Sequence, residues 1–302
     1  MTCPWTWIDR TDALEAAANA LSASRVIAVD TEYNSLHYFR EKLCLVQIHD
    51  GQHAYLIDPM AGLDLSPLSG LFENSDVLKI FHAGDNDIRI IKRDYGSTFR
   101  NIFDTQKAAS ILGHHYLSLE TLIREYLSVD FKKKKKIQRS RWEVRPLSVE
   151  QLHYASLDTF HLIPLYLALI KVLYERNLLG TAERAFQEIA EVMWHEKRLN
   201  PTGYKKLPGY HNLPEHEKHR LRNLYNWRYH KAQEIDLAPF LLLNDRLLMA
   251  LARAEIDLTD PIAISQKTTC STCFKYLNEL IPLLPEHPQE SRKQGIITPP
   301  QL

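Results

Sequence analysis

The chain has 302 residues, a length that suits two modest domains better than one. Hydrophobic residues make up 45% and charged residues 25%, the balance of an ordinary globular protein, which excludes a collagen-like or low-complexity chain. Its 37 basic and 37 acidic residues cancel, so no global charge draws it to nucleic acid or to an anionic membrane. Any nucleic-acid contact must come from local segregation of charge.

The N-terminus lacks a basic segment followed by an apolar core, so no signal peptide is expected. The longest apolar stretch, 162–174, is too short to span a bilayer and contains Lys171. These features predict a reduced cytoplasmic protein with no membrane association. Cys270 and Cys273 have the spacing of half a zinc site, but no second Cys/His pair lies nearby, so two unpaired thiols are expected.

In chain order, Thr11 to Leu21 reads as a helix. The runs 25–30, 43–48 and 54–58 read as an antiparallel meander, the last two joined by the turn dipeptide Asp50-Gly51. Shorter strands are predicted at 78–81 and 101–103. Helices follow at 85–93, 105–112 and 118–126. A long one runs from Val149 to about Asn177, with Ser148 and Gln151 spaced as a capping box. This pattern predicts an α/β first domain over 1–195. A linker is expected over 196–212 because Asn200-Pro201-Thr202-Gly203 and Leu207-Pro208-Gly209 punctuate it. A strand-free helical domain is expected over 213–285, with helices at 214–235, 244–254 and 269–280, and then a disordered tail over 286–302.

Three acidic clusters carry the chemistry. Asp30 and Glu32 end the first meander strand; alternate strand residues share a face, so both carboxylates project together while Thr31 points away. Such a pair is either a solvated strand end or half of a divalent-cation site. Asp87 lies in the first turn of the 85–93 helix, where the helix dipole favours a carboxylate; Asp85 is the better N-cap candidate, which leaves Asp87 to face a pocket. Tyr154 and Asp158 are four apart on the long helix and share a face, either as a buried pair or as a metal ligand with a water-holding hydroxyl. His153 is five residues from Asp158, about 140° around the helix against about 40° for Tyr154, so Tyr154 is the better water-positioning candidate. Carboxylates from distant segments share a pocket when cations neutralise them, as a pair of hard divalent ions does for phosphodiester cleavage.

Just before that helix lies a basic run containing Lys132, Lys133, Lys134 and Lys136, followed by Gln138, Arg139 and Trp142. Such runs are usually solvated loops. Its position makes it a candidate to contact phosphates, with Trp142 and Arg139 stacking on or clamping a single-stranded end.

Taken together, these segments resemble the ribonuclease D family of 3′–5′ exonucleases. The resemblance rests on Asp30-Thr31-Glu32-Tyr33, Leu43-Cys44-Leu45-Val46-Gln47-Ile48, His82-Ala83 with Asp87, and Phe103-Asp104-Thr105-Gln106. It continues through Gln138-Arg139-Ser140 with Trp142, Arg145-Pro146-Leu147, and Tyr154-Ala155 with Asp158. The C-terminal part resembles the HRDC domain through Leu224, Trp227-Arg228, Ala232, Pro239, Leu247-Leu248 and Leu251-Ala252. The resemblance implies a ribonuclease-H-like mixed sheet flanked by helices, followed by a small all-α domain. It implies two Mg²⁺ or Mn²⁺ ions on Asp30, Glu32, Asp87 and Asp158, with Tyr154 beside the attacking water and no small-molecule cofactor. The implied substrates are RNA 3′ ends, such as transfer RNA precursors or other structured RNA, with DNA as the alternative. A silent RNA-binding scaffold would require a lost carboxylate, and all four are present. Arg141, the long lysine run, the proline-free 34–42 loop and the Cys270–Cys273 stretch depart from the family pattern and bear on substrate preference.

Overall fold

A computed structural model describes residues 4–130, 135–255 and 273–284. The chain divides into two units, residues 1–35 with 41–195, and residues 36–40 with 196–302.

The first unit is built on a six-stranded mixed sheet. Its strands are β1 (Trp5–Ile8), β2 (Val26–Asn34), β3 (Lys42–His49), β4 (Ala54–Ile57), β5 (Leu78–Phe81) and β6 (Ile102–Asp104), in the order β1-β4-β3-β2-β5-β6. The meander β2-β3-β4 is antiparallel as the sequence predicts, while β1 runs parallel to β4, β5 to β2 and β6 to β5. β2 is central, and Ile27, Ala28 and Val29 are buried on both faces. It runs to Asn34, beyond its predicted end, through a register shift between Glu32 and Tyr33. β1 is not predicted by the sequence, because Trp5–Ile8 is only four residues long; its place comes from long-range pairing with β4.

The helices are α1 (Thr11–Ser22), α2 (Ser66–Glu73), α3 (Asp85–Tyr95), α4 (Thr105–Ile111), α5 (Leu119–Leu127), α6 (Lys135–Gln138), α7 (Val149–Phe160), α8 (Leu162–Glu175) and α9 (Leu179–Glu191). α7 packs on β2, β3 and β4. Its start carries the predicted capping box: Gln151 N donates to Ser148 Oγ (3.2 Å), and Ser148 N donates to Gln151 Oε1 (3.0 Å).

Two expectations need correction here. The long helix is two helices, broken at His161 (φ −90°, ψ −5°). Pro164 explains the break: it has no N–H to donate, and its ring would strike the carbonyl of Phe160, where α7 ends. Counted across both helices, the apolar run 149–175 has 27 residues, enough by length and composition to cross a membrane. In this fold its Ala155, Leu162, Leu165, Leu169 and Leu173 are instead buried within the unit. The second correction concerns Asp85, which does not cap α3. Gly84 holds the N-cap position, and Asp85 pairs with Arg89 (2.7 Å). Gly84 is required there, since an added Cβ would lie 2.5 Å from that of Phe81.

The second unit contains α10 (Glu215–Glu234), α11 (Pro239–Leu242), α12 (Asp245–Ala252) and a short helix at Leu277–Leu280. Leu221, Leu224, Leu243, Leu247, Leu248, Leu251 and Leu280 form its core. The stretch 196–212, expected as a linker, gives Tyr204 and Leu207 to that core through short 3-10 turns. Residues 36–40 join the unit through buried Phe39 and through Arg40, which meets Glu196 at 2.6 Å. Of the helix predicted over 269–280, Cys273–Tyr276 is a 3-10 turn and 269–272 lie outside the described residues, as do Cys270 and the tail expected over 286–302.

Candidate active site

Asp30 and Glu32 lie on the β2 face that pairs with Gln47 and Leu45 of β3. α7 covers this face and brings Tyr154 and Asp158, one turn apart, over the two carboxylates. Tyr154 is 8% exposed and Asp158 2%, whereas His153 faces solvent. The Tyr154 hydroxyl donates to the Asp158 carboxylate. Burial pushes its pKa far above the usual phenol value, and the negative charges of Asp158, Glu32 and Asp30 push it in the same direction. Three of the four predicted carboxylates therefore act on a single hydroxyl.

Asp87 enters from α3. It is buried and accepts a hydrogen bond from the Thr31 hydroxyl, on the β2 residue between Asp30 and Glu32. Burial pushes its carboxyl up to about 6; the Thr31 bond opposes the shift, and the charges of Asp104 and Asp85 reinforce it. Asp104 is itself buried and ties two elements together: Oδ1 accepts from Lys107 N (2.7 Å), capping α4, and Oδ2 accepts from Gly84 N (2.8 Å) ahead of α3. This holds the turn that presents Asp87.

The donor set consists of hard carboxylate oxygens, the chemistry a magnesium or manganese ion takes. Among the described residues, no three His, Cys, Asp or Glu side chains are spaced as a finished metal cage. A further sign that the pocket serves a polar occupant is Gln47. It is fully buried beside Asp30 in the register, and neither of its amide atoms has a hydrogen-bond partner. The residues present fit divalent cations by the kind of their donor atoms, and three of them, Asp30, Glu32 and Asp158, act on one hydroxyl.

Trp142 corrects the sequence reading. It is 2% exposed and packs with Leu45, Leu56, Leu147 and Tyr154, its ring centroid 6.0 Å from that of Tyr154. A ring enclosed in this way cannot stack on a base; it backs the tyrosine instead. Arg145 fixes the loop behind it, donating to Asp58 Oδ2 (2.7 Å), Cys44 O (2.6 Å) and Trp142 O (2.6 Å). Of the other predicted contacts, Lys136, Gln138 and Arg139 are exposed on or beside α6, while Lys132, Lys133 and Lys134 lie outside the described residues.

Sequence reasoning missed Thr31, Gln47 and the buttressing role of Trp142. Gln47 stands in the Leu43–Ile48 segment, and a lone glutamine inside an apolar strand is the available signal.

Residues 5–174 match the 3′–5′ exonuclease family and residues 217–258 match the HRDC domain. Ribonuclease D of Haemophilus influenzae is 34% identical over 252 residues, covering 81% of this chain and 61% of that protein. The crystal structure of the catalytic core of RRP6 from Trypanosoma brucei superposes with a TM-score of 0.85 at 25% identity, covering 98% of this chain and 81% of that one. That of Escherichia coli RNase D, described as an exoribonuclease involved in structured RNA processing, gives 0.68 at 25% identity over 97% and 76%. The chain thus spans about three-fifths of the length of the ribonuclease D proteins it matches.

Proposed function

From the premise that this chain belongs to the 3′–5′ exonuclease family and carries an HRDC domain after its exonuclease domain, we propose that it is an exoribonuclease of the ribonuclease D type. It shortens RNA one nucleotide at a time from a free 3′ end. Its substrates are transfer RNA precursors or other structured RNAs of the cytoplasm. The observation that carries this reading is the gathering of Asp30, Glu32 and Asp158 around the Tyr154 hydroxyl.

Asp30, Glu32, Asp87 and Asp158 are the residues that would hold two Mg²⁺ or Mn²⁺ ions, which when bound make water a better nucleophile and stabilise the leaving oxygen. Water adds to the terminal phosphorus and the bond to the 3′ oxygen of the preceding nucleotide breaks. The released nucleotide carries a 5′-phosphate and the shortened RNA a 3′-hydroxyl. Burial, reinforced by the negative charges around it, keeps Tyr154 protonated at neutral pH. It therefore orients the water through hydrogen bonds and does not remove its proton. Trp142 and the capping box of α7 keep the phenol in place. Lys136 and Arg139 face solvent, where they would meet the RNA backbone.

The test uses 5′-labelled RNA with a free 3′ end, the same RNA with a 3′-phosphate, and a matched DNA. A ladder shortening from the free 3′ end, release of 5′-mononucleotides, resistance of the blocked RNA and arrest by chelator are expected. Internal cleavage, or turnover unaffected by chelator, would overturn the reading; faster degradation of the DNA would reassign the substrate.

A further inference from the structure

Gln47, on the strand that pairs with Asp30, has a chemistry that the folded chain leaves unexplained. It sits in the second half of β3 and is 0% exposed, yet neither Oε1 nor Nε2 has a hydrogen-bond partner. A buried primary amide ordinarily finds partners, because leaving it unmatched forfeits its solvation without return. An apolar side chain would serve better if the position were only a packing site, and its neighbours on the same face of β3 and β4, Leu45 and Leu56, are apolar.

Its direction follows from the register. Gln47 pairs with Asp30 of β2 and with Leu56 of β4. Directly paired residues of antiparallel strands put their side chains on the same face, with Cβ atoms about 5 Å apart. Gln47 therefore lies on the Asp30 face, under α7, within a glutamine's reach of the Asp30 carboxylate. The opposite face carries Val46 and Ile48, which belong to the main hydrophobic core.

We propose that Gln47 is a positioning residue for Asp30: in the cation-loaded protein its amide donates to the Asp30 carboxylate and fixes the orientation in which that carboxylate receives a divalent cation. The proposal rests on the reading of Asp30 as a cation ligand. Partners behind a ligand commonly set its orientation, and removing one weakens the cation's hold without touching the ligand itself. A glutamine suits this task because it stays neutral: it adds no charge to a pocket already crowded with carboxylates, and its donor survives at any pH at which the protein is folded.

The experiment is calorimetric titration of the full chain with Mn²⁺ alone, for wild type, Gln47→Met and Asp30→Asn, with thermal unfolding in chelator as the companion measurement. Gln47→Met keeps the length and volume and removes the amide. Its Mn²⁺ dissociation constant is expected to rise roughly tenfold to a hundredfold, with an unchanged or higher Tm because an unmatched polar group has gone. Asp30→Asn is expected to weaken binding at least as much. If Gln47→Met binds Mn²⁺ like wild type while Asp30→Asn does not, the proposal fails and the site reading stands. A fall in Tm with an unchanged dissociation constant is the packing-only outcome and overturns it too. If Asp30→Asn itself binds like wild type, the site reading fails and takes the proposal with it. Should Gln47→Met not fold, Gln47→Asn, which keeps the amide but withdraws it by one methylene, is read by the same criterion.

Discussion

Thr31 donates its hydroxyl to Asp87 across 56 residues of chain, joining the central strand to the helix beside it. By strand alternation Thr31 turns away from Asp30 and Glu32, yet it meets the acid that the sequence assigns to the same pocket. The bond favours the charged form of a carboxyl that burial pushes up to about 6. Thr31→Val, nearly identical in shape, removes that support, so the folded-state pKa rises further. The acid-side loss of Mn²⁺ binding should therefore move to higher pH, measured by titration calorimetry from pH 5 to 8. An unchanged profile would mean that the bond does not tune Asp87.

Asp87 is a stability liability in the absence of cations. Its folded pKa, about 6, lies above the ordinary 3.8, so the native state holds the proton more tightly than the unfolded chain does. The penalty is absent below the unfolded pKa, grows between about pH 4 and 6, and is complete above 6. Asp87→Asn keeps an acceptor for Thr31 and removes the charge. In chelator at pH 7 it should stabilise the protein by roughly 1–3 kcal/mol, seen as a rise in Tm, with little gain at pH 4. Equal Tm values at pH 7 would contradict this.

Trp142→Ala should destabilise the chain by about 3–5 kcal/mol, the usual cost of emptying a large aromatic site. Loss of the backing for Tyr154 should also lower kcat. Binding of single-stranded RNA, measured in Ca²⁺ by fluorescence anisotropy, should stay within about twofold of wild type, because the ring is enclosed and touches no solvent-facing surface. A tenfold loss of RNA affinity at unchanged Tm would restore the stacking role expected from the sequence.

Neutralising Lys136 and Arg139 together should weaken RNA binding by a similar factor for every sequence tried. The slope of log affinity against log salt should become shallower by about 0.7 for each single-strand phosphate that the variant no longer neutralises. An unaltered slope would remove these two residues from the RNA path.

Asp30, Glu32, Asp87, Tyr154 and Asp158 can be nominated from the sequence because each sits where local rules speak: alternate strand positions, a first helical turn, an i,i+4 pair. Gln47, Thr31 and Trp142 are not, because their roles depend on register and on packing between segments far apart in the chain. Trp142 looks like a base platform because it follows a basic run, and only its packing against Leu45, Leu56 and Tyr154 shows it to be core. β1 is hidden for a related reason, since Trp5–Ile8 becomes a strand only by pairing with β4. The break between α7 and α8 is open to prediction from Pro164, and the apolar run masks it. The boundary expected at 196–212 overlooks Tyr204 and Leu207, whose proline- and glycine-rich setting disguises two core side chains.

The most direct test is the initial rate of mononucleotide release from RNA with a free 3′ end in saturating Mg²⁺, for wild type and Asp158→Asn. Asp158 is where the Tyr154 hydroxyl and the carboxylate set meet. The variant should fold with a near wild-type Tm and lose at least about a thousandfold in rate, the scale for removing one member of a set that acts as a unit. Turnover within a few fold of wild type would contradict the assignment of this pocket as the catalytic centre.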